Sequence, residues 1–130
     1  MTFDYAARDF SVRQDIGEAH RVAWAALART GTWWTGEERV AIAQEVRNAT
    51  FCPLCAERKA AMQPASVKGE HLSSTSLSPA AIDAAHRIVT DQGRITRRWF
   101  ESVTSPEDGI TVEQYVELAG VVVLVFSIDE

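Results

Sequence analysis

The sequence predicts an all-α fold, a single domain over residues 1–130 built from about six helices. Apolar residues recur at helical spacing through most of the chain, and serine or threonine caps precede several of these segments. No segment shows the alternation with a period of two that half-buried strands require. The 130 residues, 46% hydrophobic and 24% charged, are sufficient for one core and typical of a globular domain.

The first part of the chain predicts two amphipathic helices. Apolar residues recur at helical spacing over Ile16–Leu27, and Gly31 is able to stop the helix. Thr35 then stands three residues before Glu38, which is the spacing of a capping box, in which each residue bonds the backbone amide of the other. We expect the second helix to begin there and to end near Asn48 or Ala49.

A third helix is predicted around the two cysteines, with Thr50 as its cap. Phe51, Cys52 and Pro53 would form its first turn, where a proline is tolerated because its missing N–H has no partner within the helix. This helix is expected to run to about Met62.

The following stretch, 64–77, is rich in small polar residues and is predicted to be a loop. Ser78 and Pro79 form a typical helix start, with serine as the cap and proline at the first helical position. This helix is expected to end before Gly93. A short helix is predicted over Thr96–Val103.

The last segment favours one long buried helix. Thr111 and Gln114 have capping-box spacing, and the apolar residues that follow recur with helical periodicity. The β-branched run Val121–Phe126 would also suit a strand, but no other segment offers it a partner. Because the chain stops soon after this segment, at Glu130, we expect that a further packing element is missing or supplied by another subunit.

Charge and cysteine usage narrow the functional classes. A formal net charge of −5 argues against nucleic acid or an anionic membrane surface as partner, because both require a basic footprint. Residues 1–10 carry charges and no apolar core segment, so we expect no signal peptide there. The longest apolar run is too short to span a bilayer. The chain has only two cysteines, three positions apart, whereas a secreted disulfide framework uses more cysteines at wider spacing. This pattern favours a cytoplasmic protein.

The Cys52–Cys55 pair is the main candidate site. A thiolate attacks peroxides and disulfides, and a helix start lowers the thiol pKa because unpaired N–H groups point at the sulfur. The second sulfur allows the pair to close into a disulfide after the first is oxidised. Two alternatives stay open: a pair of buried apolar side chains, or a zinc site. The zinc site is disfavoured because His71 and His86 are fifteen positions apart rather than three to five.

The segment from Thr35 to Met62 resembles the alkylhydroperoxidase D-like and carboxymuconolactone decarboxylase-like proteins. The resemblance rests on a helix that opens Thr-Gly-Glu-Glu-Arg, continues Val-Ala-Ile-Ala, reaches Asn48 and precedes a CxxC helix. Helices of fitting length follow over 77–128. The resemblance implies an all-helical homo-oligomer (a dimer, trimer or hexamer) that reduces hydroperoxides or passes disulfide equivalents to a thiol reductant protein, without a cofactor or metal.

The resemblance also implies a glutamate that serves the cysteines from the preceding helix. Its usual place, twelve residues before the first cysteine, is Val40 here, but two extra residues before Cys52 would bring Glu38 into register. Glu38 is therefore a candidate catalytic residue, with its capping-box role as the alternative. The two histidines of the family's peroxidases are replaced here by Leu54 and Lys59.

Other polar residues have weaker claims to the site. Lys59 is one turn after Cys55 and would stabilise a thiolate, although a solvated helix face is the simpler interpretation. Glu45 is expected to be a solvated face residue, His86 a core histidine with some prospect of approaching the dithiol, and His71 inert.

Two functional hypotheses follow. The first is a dithiol enzyme that reduces hydroperoxides or exchanges disulfides through Cys52 and Cys55, with the order of attack open. The second is a non-enzymatic helical scaffold or binding module, whose tryptophans would line a core or a subunit interface. Lactone decarboxylation is disfavoured, because such enzymes do not depend on a CxxC pair.

Overall fold

The computed structural model describes residues 11–129. Residues 1–10 and Glu130 lie outside the described part, and so does the expectation about the N-terminal segment. Over residues 11–129 the chain forms helices and no strand, which confirms the predicted all-α class. The six α-helices are α1 (Gln14–Leu27), α2 (Gly36–Ala49), α3 (Pro53–Ala60), α4 (Pro79–Asp91), α5 (Arg97–Val103) and α6 (Val112–Asp129).

Side-chain caps begin three of these helices where the sequence places them. In the capping box of α2, the Glu38 amide donates to the Thr35 hydroxyl at 3.1 Å, and the Thr35 amide donates to the Glu38 carboxylate at 3.3 Å. Thr111 and Gln114 make the same pair of bonds before α6, at 3.0 and 2.9 Å. Ser78 caps α4, with a proline in the first turn. The predicted starts of these helices are confirmed.

The core lies where α2, α4 and α6 pack against one another, with α1 and α5 on its flanks. The long final helix is confirmed: one apolar side of α6 is fully or nearly fully buried against the other helices. Trp24 and Trp34 are buried in this core, whereas Trp33 is half exposed. Core residues with no or almost no exposed surface include Leu27, Ile42, Ala84, Leu118, Val122 and Val125.

The joint between α2 and α3 differs from the prediction. Thr50 ends α2 rather than capping α3, and its hydroxyl donates to the Arg47 carbonyl at 2.8 Å. Cys52 is the N-cap of α3, in an extended conformation with φ −75° and ψ 116°. A proline sterically disfavours helical geometry in the residue before it, so Pro53 prevents the helix from starting earlier. The helix also ends at Ala60, short of the predicted end near Met62.

The predicted loop is irregular apart from one short 3-10 turn, Pro64–Ser66. Its Val67 side chain packs on a second, small apolar cluster formed by Cys52, Leu54 and Cys55. The loop thus folds back against the start of α3 before it enters α4. Within residues 11–129 no helix combines the length and the hydropathy that a bilayer crossing requires.

Candidate functional site

The two cysteines lie together at the start of α3 and are almost fully covered. Cys52 is 3% exposed and Cys55 is 5% exposed. The backbone amide of Leu72, in the loop, donates to Cys52 Sγ at 3.3 Å. The dithiol is therefore a buried pair whose cover is supplied by the segment between α3 and α4.

Two histidines contact these sulfurs, each through Nδ1. His71, from the loop, places Nδ1 3.6 Å from Cys52 Sγ and 3.5 Å from Cys55 Sγ. His86, from α4, places Nδ1 3.4 Å from Cys55 Sγ. The two rings are neighbours, with centroids 4.3 Å apart. We call these four residues the Cys2His2 cluster.

Each histidine has a carboxylate on its far side. The Nε2 atom of His86 lies 2.9 Å from Glu45 Oε2, and that of His71 lies 2.7 Å from Asp83 Oδ1. A carboxylate only accepts hydrogen bonds when ionised, so the proton of each ring belongs on Nε2. In a neutral ring this leaves Nδ1 as an acceptor facing the sulfurs.

Glu45 is a fully buried carboxylate with a complete set of donors. Its Oε1 accepts the hydroxyls of Ser73 at 2.6 Å and Thr75 at 2.7 Å, and Asn48 donates to Oε2 at 3.3 Å. Burial by itself raises the carboxyl pKa, but these bonds and the one from His86 outweigh it and lower the pKa to about 2. Glu45 is thus ionised at neutral pH in an otherwise apolar helix face.

Asp83 plays the corresponding part for His71. Arg58 donates to Oδ1 at 3.1 Å, and the Trp99 indole donates to Oδ2 at 2.7 Å. Burial raises the pKa of this carboxyl, but the bonds from His71 and Trp99 and the nearby positive charges lower it to about 2. The Arg58 side chain thus reaches across from α3 to α4.

The two histidines differ in charge. Burial lowers the pKa of His71, but the bond to Asp83 and those to the two sulfurs outweigh it and raise the pKa to about 10. For His86 burial has the larger effect, and the pKa is lowered although Glu45 opposes the shift. At neutral pH His71 is therefore an imidazolium that donates to sulfur, and His86 is a neutral base.

These surroundings favour the thiolate of Cys52. Burial by itself raises the pKa of the Cys52 thiol. The hydrogen bonds that its sulfur receives from the Leu72 amide, Cys55 and the His71 ring outweigh this effect and lower the pKa to about 7. Cys55 faces the unprotonated Nδ1 of His86. The site thus holds one sulfur that is readily ionised and a second beside a base.

The structure brings two of the three predicted site residues, Cys52 and Cys55, into one cluster and places the third, Glu38, outside it. Cys52 and Cys55 lie together, whereas the Glu38 carboxylate is bonded in the capping box of α2. Seven residues, about 10 Å along the helix, separate Glu38 from Glu45. Glu45, not Glu38, is the carboxylate of α2 that reaches the cluster through a histidine.

Two expectations about the polar residues, those for Glu45 and His71, are thereby corrected, and the one for His86 is confirmed. Glu45 is buried rather than solvated, His71 contacts both sulfurs rather than being inert, and His86 is both a core residue and a neighbour of the dithiol. Lys59 is exposed, as expected. A signal for Glu45 was present in the sequence: it follows Ile42 by three positions and precedes Ala49 by four, so it lies on the apolar side of α2.

The argument from spacing against a metal site also fails. One ligand atom from each of the four residues, a sulfur or an imidazole nitrogen, lies within 4.8 Å of the other three. The histidines come from different elements, so their separation along the chain carries no information about their distance in space.

In comparisons with family models, curated proteins and solved structures, nothing matches this chain. The resemblance to alkylhydroperoxidase D-like proteins therefore stays a prediction.

Proposed function

We propose that this chain is a dithiol redox protein that reduces hydroperoxides, or exchanges disulfides, through Cys52 and Cys55. The observation that carries the proposal is the pairing of both sulfurs with histidines that are themselves held by carboxylates, one fully buried (Glu45) and one partly buried (Asp83). A dithiol that served only as apolar packing would have no need of the partly buried Asp83, nor of Glu45, whose burial costs free energy unless every acceptor is satisfied.

In the first step, the Cys52 thiolate attacks the terminal oxygen of a hydroperoxide. An S–O bond forms and the O–O bond breaks, which leaves a sulfenic acid on Cys52. The departing alkoxide takes the proton from the imidazolium of His71 and leaves as an alcohol. His71 suits this part because it lies 3.6 Å from the attacking sulfur and its charge favours the thiolate.

In the second step, His86 acts as the general base. Its Nδ1 takes the proton of the Cys55 thiol, and the resulting thiolate attacks the Cys52 sulfur. The S–S bond forms as the S–O bond breaks, and the hydroxide leaves as water with the proton from His86. The sum is one dithiol and one hydroperoxide giving a disulfide, an alcohol and water.

The cycle closes when an external dithiol protein reduces the disulfide by thiol–disulfide exchange, which supplies two electrons. The same groups also suit direct exchange, in which the Cys52 thiolate attacks a substrate disulfide. In either case the segment that carries His71 and Leu72 has to move, because Cys52 and Cys55 are only 3% and 5% exposed. The electron donor, and the homo-oligomer that the family resemblance implies, are part of this proposal.

Thiol titration of the reduced, metal-free protein tests the function. With one equivalent of cumene hydroperoxide or hydrogen peroxide, we expect both thiols to be lost and the intact mass to fall by two hydrogens. The rate should exceed that of the same chain unfolded in denaturant, where the sulfurs lack their neighbours. Thiol loss no faster than in the unfolded chain would remove the basis for the proposal.

A further inference from the structure

We propose that the reduced protein binds one Zn²⁺ ion in the Cys2His2 cluster, through the sulfurs of Cys52 and Cys55 and the Nδ1 atoms of His71 and His86. This inference does not rest on the proposed redox function. It rests on the positions of the four ligand atoms and on what lies behind the two histidines.

The spacing of the ligand atoms fits a tetrahedral ion. Zinc binds thiolate sulfur at about 2.3 Å and imidazole nitrogen at about 2.0–2.1 Å, so a sulfur and a nitrogen on one tetrahedral ion lie about 3.6 Å apart. The three sulfur–nitrogen contacts here measure 3.4, 3.5 and 3.6 Å. An ion could thus be placed between the four atoms with little movement of the backbone.

The groups behind the ligands are those that a zinc site requires. A histidine that binds zinc through one nitrogen usually donates its other N–H to a carboxylate, which fixes the ring and strengthens the ligand. Glu45 and Asp83 do this for both rings, at 2.9 and 2.7 Å. The Leu72 amide also donates to the Cys52 sulfur, which helps to carry thiolate charge.

The charges are compatible with a divalent ion. Two thiolates balance Zn²⁺, while Arg58 neutralises part of the charge of Asp83 through a contact of 3.1 Å. Two thiolates with two imidazoles also form a set that favours Zn²⁺ over Mg²⁺ or Ca²⁺, which prefer oxygen ligands.

A site with four protein ligands leaves no position for a substrate, so the ion would serve structure or protection rather than hydrolysis. It would tie the loop residue His71 to α3 and α4 and mask both sulfurs. A disulfide between Cys52 and Cys55 removes two of the four ligands. Metal binding and the disulfide therefore exclude each other.

The test is metal binding by the full chain, reduced and freed of metal by a chelator. After addition of Zn²⁺ and gel filtration, elemental analysis should give one zinc per chain. Co²⁺ in the same site should show the intense visible bands of a tetrahedral ion and thiolate-to-cobalt charge transfer in the near ultraviolet. Substoichiometric zinc, or a weak octahedral cobalt spectrum, would overturn the proposal.

Variants identify the ligands. His71→Gln and His86→Gln should each weaken cobalt binding and alter its visible spectrum, because a water would have to replace the lost nitrogen. His20→Gln, on α1 and outside the cluster, should bind as the wild type does. Asp83→Asn keeps all four ligands and should weaken zinc binding about 10- to 100-fold. Circular dichroism of each metal-free variant checks the fold, and a folded His71→Gln protein that binds as tightly as His20→Gln would contradict the assignment.

Oxidation separates this proposal from the proposed function. Diamide takes the two thiol hydrogens and leaves the disulfide, so zinc capacity should vanish on diamide treatment and return with dithiothreitol. Zinc capacity that survives complete oxidation would exclude the cluster as the site. Zinc binding without a reaction with hydroperoxide would support this proposal and contradict the redox function. A reaction with hydroperoxide without zinc binding would support the redox function and contradict this proposal.

Discussion

The Nε2 atom of His86 lies 2.9 Å from Glu45 Oε2 in a position where neither side chain has any exposed surface. Burying a carboxylate is strongly unfavourable unless its acceptors are filled. The hydroxyls of Ser73 and Thr75 and the amide of Asn48 fill them here. This pair joins the protein core to the dithiol, because the other nitrogen of the same ring faces Cys55.

Cysteine variants should separate the two steps of the proposed reaction. With hydroperoxide, Cys55→Ser should stop at a sulfenic acid on Cys52, because no second sulfur can resolve it. Cys52→Ser should lose thiols far more slowly than the wild type. Trapping with dimedone followed by mass spectrometry measures both outcomes. A dimedone adduct on Cys55 in the Cys52→Ser protein, formed at the wild-type rate, would reverse the assignment of the attacking sulfur.

Glu45→Gln should impair both stability and disulfide formation. The amide nitrogen of glutamine would face either the His86 N–H or the hydroxyl donors, so one buried donor loses its acceptor, at about 1–3 kcal/mol of unfolding free energy. Disulfide formation should slow about 10- to 100-fold. This is less than the full contribution of a general base, because His86 remains in place. Denaturant unfolding and stopped-flow thiol loss measure these effects.

The matched control for that variant is Glu38→Gln on the same helix. Glutamine retains the capping box with Thr35, so neither stability nor rate should change. Equal effects of the two substitutions would mean that Glu45 has no special relation to the site.

The reactivity of Cys52 should depend on pH with a midpoint near its pKa of about 7, below the ordinary 9.0. The thiolate is the reactive form, so alkylation by iodoacetamide should rise with pH through this midpoint. His71→Gln removes a positive donor 3.6 Å from the sulfur, and the midpoint should move upward. The measurement uses metal-free Cys55→Ser protein, and His20→Gln in the same background is the control. An unchanged midpoint in the His71 variant would contradict the ion pair between His71 and the Cys52 thiolate.

Acid should destabilise the fold through Glu45 and Asp83. The carboxyl pKa values fall from ordinary values of 4.5 and 3.8 to about 2 in the folded protein. Their contribution to stability is therefore complete above about pH 4.5 and is lost as the pH falls towards 2. Because the pKa of His86 is lowered by burial, a further loss begins as the pH falls below its ordinary value of 6.5.

Thermal unfolding of the metal-free protein between pH 7 and pH 2 measures this loss. A double variant, Glu45→Gln with Asp83→Asn, should show a shallower decline in melting temperature over the lower part of that range. A decline as steep as in the wild type would place the acid sensitivity elsewhere.

The hydroxyls of Ser73 and Thr75 that bind Glu45 should also keep the loop between α3 and α4 in place over the dithiol. Ser73→Ala with Thr75→Val removes bonds of 2.6 and 2.7 Å that tie the loop to α2. We expect faster alkylation of both cysteines and more rapid hydrogen exchange at Leu72. Ser66→Ala, which removes only a local bond to the Gln63 carbonyl, is the control and should react as the wild type does.

Much of the helical framework was readable from local sequence. The capping boxes at Thr35 and Thr111 and the Ser78–Pro79 start are set by residues within one turn of each other, so their positions can be predicted without knowledge of the packing. The start of α3 differs from the prediction because the steric effect of Pro53 on Cys52 outweighs the capping preference of Thr50.

The helices, their apolar sides and the CxxC pair at a helix start could be predicted from the sequence, because all of these depend on residues a few positions apart. The polar groups that surround the sulfurs could not, because they come from distant parts of the chain. His71, Asp83 and His86 follow Cys55 by 16 to 31 positions, and Glu45 reaches the cluster from the preceding helix. Their meeting depends on how α2, α3, α4 and the loop pack together, and no local spacing records that packing.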